Sequence, residues 1–110
     1  MTDPRLVRAK ARLDLLDWYP AAVRVERVSV RVAPRLFRLP WLQRFDGYAL
    51  HRRILLRHAD APDDLVVHEL CHVWQMQHHP LRMPLSYLRT GYRRNPYERE
   101  ARAAVTQTRG

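Results

Sequence analysis

The stretch PDDLVVHELCHVWQMQHHP, residues 62–80, constrains the fold more than any other part of the chain. Pro62 suits a first helical turn, Asp63 and Asp64 complement the positive end of a helix dipole, and Pro80 bars continuation. The sequence therefore predicts a helix running to about Gln77. Val66, Val67, Leu70, Val73 and Trp74 supply apolar residues that can bury it on several sides. In 110 residues there is room for a single core, so residues 1–110 are expected to form one domain.

The flanking segments read as an α+β arrangement. Leu6, Val7, Leu13, Leu16 and Trp18 recur at roughly helical spacing over residues 4–18, between Pro4 and Pro20, which predicts an N-terminal helix. Residues 23–32, VRVERVSVRV, alternate as a half-buried strand does, with a slip in phase at Glu26–Arg27 that suggests a bulge. PRLFRLPWLQRFDG reads as a connection with a helical turn, and YALHRRILLRH after Gly47 as a second extended segment or short hairpin. Further helices are expected over 84–92, stopping near Gly91, and after Asn95, with Asn95 as cap and Pro96 in the first turn. The expectation is an N-terminal helix, a short antiparallel sheet, a motif-bearing helix and a C-terminal helix.

His68, Glu69 and His72 spell His-Glu-x-x-His within the predicted helix. Residues four apart share a helical face, so the two imidazoles can address one metal ion, while Glu69, about 100° away, can reach a metal-bound water as general base. Six histidines and four glutamates in 110 residues would spell this motif by accident in about one such chain in a hundred.

A catalytic zinc site needs a third protein ligand. His78 lies six residues after His72, but on an unbroken helix it is turned about 120° away and displaced by about 9 Å. His79 lies farther still. Glu98 and Glu100 remain, in NPYEREARAA. Glu98 shares a helical face with Ala101 and Val105 and is the leading candidate, although Asn95-x-x-Glu98 also resembles a capping box. Glu100 falls with Ala104 and Gln107 on a more mixed face. Cys71, in the spacer of the motif, reads as a small buried residue rather than a fourth ligand.

HELCH followed some 25 residues later by NPYEREA resembles the HExxH and downstream ExxA arrangement of the gluzincin metallopeptidases. In so short a chain it is most similar to the minigluzincins. The resemblance implies a zincin-like fold and peptide-bond hydrolysis with Zn2+ as cofactor. It makes His68, His72 and Glu98 the metal ligands and Glu69 the general base, with peptides or unfolded protein as substrate. It makes the segment around Arg53–His58 the edge strand that aligns the peptide by strand addition. Family members use a Tyr or His at the oxyanion; Tyr92, Tyr87 and His79 are available here, and Tyr92 is the first choice because it precedes the ligand helix by one loop. Where many gluzincins carry an acid four residues after the ligand glutamate, this chain has Arg102, so support for the metal site must come from elsewhere. Latency is also implied, with residues 1–18 or the tail after Val105 lying in the cleft. A peptidase-like module that binds peptides without cleaving them is the alternative.

A formal charge of +9 from nineteen arginines and one lysine would suit an acidic partner or nucleic acid. The arginines are dispersed, with no run longer than two and no nucleic-acid motif, so nucleic-acid binding is not expected. Arginines near the groove would favour acidic peptides. No run approaches the ~20 apolar residues of a membrane span. One cysteine and an N-terminus unlike a signal peptide give a cytoplasmic location as the expectation.

Overall fold

In the computed structural model, which describes residues 3–109, the elements run α1 (Pro4–Leu13), β1 (Ser29–Val32), a 3-10 turn (Leu36–Arg38), β2 (Gly47–Leu50), β3 (Arg53–Leu56), α2 (Asp63–His78), α3 (Arg82–Thr90) and α4 (Pro96–Thr108). The order is α+β. Helix α2 is the axis of the fold: from Val66 to Met76 every residue except His68 is buried. It is covered by the sheet and by α1 and α4, and a helix covered in this way need not be amphipathic.

The three strands are ordered β1-β3-β2, with β1 parallel to β3 and β2 antiparallel to it. The sheet is therefore mixed, not antiparallel. A two-residue turn at His51–Arg52 makes the β2–β3 hairpin, and the long connection after β1 brings the chain back so that β3 lies parallel to it. Ile54, Leu55 and Leu56 of β3 are all buried, as a central strand requires. That corrects the expected edge strand at Arg53–His58. The edges are β1 and β2, and β2 is the one that lies against α2.

Only Ser29–Val32 of the expected strand 23–32 pairs in the sheet. The phase slip is a turn rather than a bulge, closed by Val28 N donating to Val25 O at 3.0 Å. Val23 and Val25 before it bury their side chains without strand pairing, which is why the apolar alternation extends beyond the strand. Helix α1 stops at Leu13 rather than near residue 18. Leaving the helix there lets Tyr19 set its ring edge-on to Trp74, 5.0 Å between centroids. Leu6, Ala9 and Leu13 are sealed in the core and Arg12 reaches Asp64, Val105 O and Thr108 at 2.8–3.1 Å, so α1 is a structural helix and not a segment lying across the cleft. Residues 1 and 2 lie outside the described residues.

Trp74 is the largest fully buried side chain and donates its indole N–H to Ala21 O at 2.8 Å. Trp74→Ala is expected to destabilise the domain by roughly 3–5 kcal/mol, read as a fall in the midpoint of denaturant unfolding. Among the described residues no helix is long and apolar enough to cross a membrane.

Candidate metal centre

Two helices are brought together by small residues and a cap. Asn95, fully buried, accepts from the backbone N–H groups of Tyr97 at 2.8 Å and Glu98 at 3.3 Å. Its amide donates to Ser86 and Thr90 in α3, which fixes the start of α4 against the end of α3. The turn between them passes through Gly91 at φ +70°, a region glycine enters without penalty. Ala101 and Ala104 are fully buried, and having no bulk they let α4 approach α2 closely. Glu98, in the first turn of α4, thereby faces His68 and His72, one turn apart on α2 with ring centroids separated by 4.9 Å. The capping box is only half made: Asn95 caps, but the Glu98 carboxylate goes to the histidines.

His68 Nε2 lies 2.7 Å from Glu98 Oε1, and His72 Nε2 lies 2.9 Å from Oε2. One ligand atom from each of the three residues falls within 4.8 Å of the others. Glu98 is only 1% exposed, and its Oε1 is buried without a hydrogen-bond partner among the described residues. Burial alone would raise the Glu98 pKa. The two imidazoles override it and hold the carboxyl well below its usual range. A buried, ionised carboxylate with one oxygen left without a hydrogen bond, its two oxygens each facing an imidazole nitrogen, fits a divalent cation. Two histidines and a glutamate are a donor set that zinc takes in catalytic sites.

Glu69 sits beside this group, 5% exposed, with no ion pair among the described residues. Burial raises its pKa, the imidazoles of His72 and His68 work against that, and the Glu98 charge adds to the rise. A carboxylate so tuned takes up a proton more readily than an exposed one. Its neighbour across the cleft is Gly47 at the start of β2. A Cβ there would lie 3.1 Å from Glu69 Oε2 and 3.2 Å from its Cγ, so the strand's close approach depends on glycine.

The support for His72 comes from a residue that sequence reasoning passed over. Gln75, fully buried, presents its Oε1 to His72 Nδ1 at 2.8 Å. Its amide nitrogen donates to Tyr97 O at 2.8 Å and to Glu100 at 3.0 Å. Two acceptors around that nitrogen fix the amide's orientation, so Oε1 must face the imidazole. The proton is then held on Nδ1, and in the neutral ring Nε2 keeps its lone pair for a metal. The available signal was a polar residue amid Val73, Trp74 and Met76, three positions from a candidate ligand. Gln75→Leu is expected to weaken zinc affinity roughly 10–100-fold, measured by competition with a chromogenic chelator.

The rival ligands are engaged elsewhere. Glu100 accepts from Tyr19 and Gln75, outside the cluster. His78 stacks on Tyr19 at 5.0 Å and faces Ala21 O, and His79 packs against Tyr19 and Tyr97. Cys71 is fully buried in the core. Arg102 comes within 4.0 Å of Glu98 Oε1. Tyr87 and Tyr92 both line the cavity beside Glu69 and His72. Tyr87 donates to Glu98 Oε2 at 3.2 Å, a contact that sequence spacing did not suggest. Burial first and then the Glu98 charge raise both phenols, which keeps them protonated donors.

The centre opens to solvent through a cleft that Glu69 divides. A cavity of about 460 Å³ lies on the His72 side and one of about 420 Å³ on the His68 side. Thr106 near the end of α4 and Arg109 just past it border the second. No protein-family model, no curated protein and no solved structure matches this chain.

Proposed function

We propose that this chain is a zinc metallopeptidase of the gluzincin type, on a zincin-like fold, acting on peptides or unfolded protein segments. The observation that carries the reading is the convergence of His68, His72 and Glu98 with their ligand atoms within 4.8 Å, Glu69 standing beside them. A zinc ion held by these three side chains would supply Lewis acidity toward the scissile carbonyl and lower the pKa of water. Everything else falls to the chain's own groups. Glu69 takes the proton released from water and hands it to the departing amine nitrogen. Tyr87 orients Glu98, and Tyr92 supplies a phenol donor to the developing oxyanion. The outer side of edge strand β2 offers unpaired backbone groups that align an extended peptide.

Cleavage of an unfolded protein or of internally quenched peptides tests the proposal. Activity should depend on zinc, vanish with a chelator, return on adding zinc, and be absent from Glu69→Gln. Peptide binding at full strength with no cleavage under any of these conditions would instead identify a non-catalytic peptide-binding module. Gly47→Ala should retain zinc yet lower kcat on the order of 10-fold, because the added methyl pushes Glu69 by a few tenths of an ångström.

A further inference from the structure

The two halves of the cleft differ in chemistry. On the His72 side the walls include Trp41, Met76, Met83 and Pro84. On the His68 side they include Arg102 and Arg109, and Arg44 borders both halves. Of the acids on that side, Glu69 is the buried carboxylate at the divide, and the other two already meet arginines. Asp64 meets Arg12 and Arg109, each at 2.8 Å, and Asp46 lies 3.5 Å from Arg57. Arg109 is thereby spent. Among the described residues the one ion pair of Arg102 is its 4.0 Å approach to Glu98, a carboxylate that already faces two imidazoles. Arg44 makes no ion pair among the described residues; its guanidinium lies 5.0 Å over the Phe45 ring and 5.4 Å over that of Tyr92, which holds it at the boundary between the halves. Arg102 on the His68 side and Arg44 at the boundary are thus two guanidinium groups without a full counter-charge that can meet over that half, and a guanidinium is the side chain best matched to a carboxylate.

We propose that Arg44 and Arg102 bind a carboxylate of the substrate on the His68 side of Glu69. The site then selects peptides that carry an acidic side chain, or a free C-terminus, at that position. That the bound peptide is cut rests on the metallopeptidase reading; the binding does not.

Fluorescence anisotropy of labelled peptides on Glu69→Gln protein, with and without zinc, tests the binding alone. The peptides are matched sets with Glu or Gln at each position, each as free acid and as C-terminal amide. One charged partner should tighten binding about 10-fold over its neutral match, from the Glu/Gln pair if a side chain is read and from the acid/amide pair if the C-terminus is. Adding Arg102→Gln should cut that ratio several-fold, and Arg44→Gln with Arg102→Gln should bring it to about 1. Arg31→Gln, which removes the same charge from edge strand β1, should leave it intact. No measurable binding, equal binding within every pair, or a preference that survives the double substitution would overturn the proposal. Cleavage of neutral peptides by the unsubstituted protein is scored separately. Cutting without carboxylate preference sinks only this inference, and carboxylate-dependent binding without cutting sinks only the peptidase reading.

Discussion

Glu69→Gln will leave zinc content and thermal stability close to those of the unsubstituted protein and lower peptide hydrolysis by roughly 10²–10⁴-fold. The two side chains are nearly the same size, and the site around Glu69 is built for its shape, with Gly47 opposite and Leu65 alongside. The substitution removes a buried carboxylate that no ion pair among the described residues compensates, so little folding energy is lost. What is lost is the ability to accept a proton. KM should change little, because Glu69 acts on the reacting proton rather than on the peptide at large, and the deficit should appear in kcat. Steady-state kinetics with elemental analysis of the same samples separates this from loss of metal.

Glu98→Gln will remove most of the zinc dependence of stability. In the unsubstituted protein, zinc binds only the folded state and stabilises it by mass action, about 4 kcal/mol when free zinc is 1,000 times its Kd. For a domain of 110 residues that corresponds to a rise in Tm on the order of 10–20 °C, removed by a chelator. A neutral amide is a poor zinc ligand, so the shift should shrink to a few degrees at most. Glutamine also fills the same space, which leaves the packing of α4 on α2 intact and makes the comparison one of metal binding rather than of folding. Differential scanning fluorimetry with zinc and with chelator measures it.

The parts of this arrangement that were legible in the sequence are those governed by local chemistry. Pro62, Asp63 and Pro80 bracketed α2 to within a residue or two, and Asn95-Pro96 marked the start of α4. The preference for Glu98 over Glu100 followed from helical faces, and Glu98 does lie with the histidines while Glu100 lies with Tyr19 and Gln75. The sheet was less legible. Whether β1 runs parallel or antiparallel to β3 depends on how the chain returns after residue 32, which no local pattern records. The apolar alternation through Val23 and Val25 overstated the strand, because burial against a core produces the same signature as pairing in a sheet. Helix α1 ends before Leu16 and Trp18, and Tyr19 beyond it packs on Trp74, a tertiary contact that no local pattern records. Gly47 was missed because its role exists only across space, against Glu69, whereas Gln75 stood three positions from His72 but has its amide oriented across space by Tyr97 and Glu100.

The most direct test of the central claim is zinc content by elemental mass spectrometry, after zinc reconstitution and removal of excess metal, for the unsubstituted protein and for His68→Ala, Glu98→Gln, Glu100→Gln and His78→Ala. One zinc per chain is expected in the unsubstituted protein, in Glu100→Gln and in His78→Ala, with zinc absent from His68→Ala and Glu98→Gln. An unsubstituted protein that folds without taking up stoichiometric zinc, or zinc that persists when His68 and Glu98 are replaced, would contradict that claim.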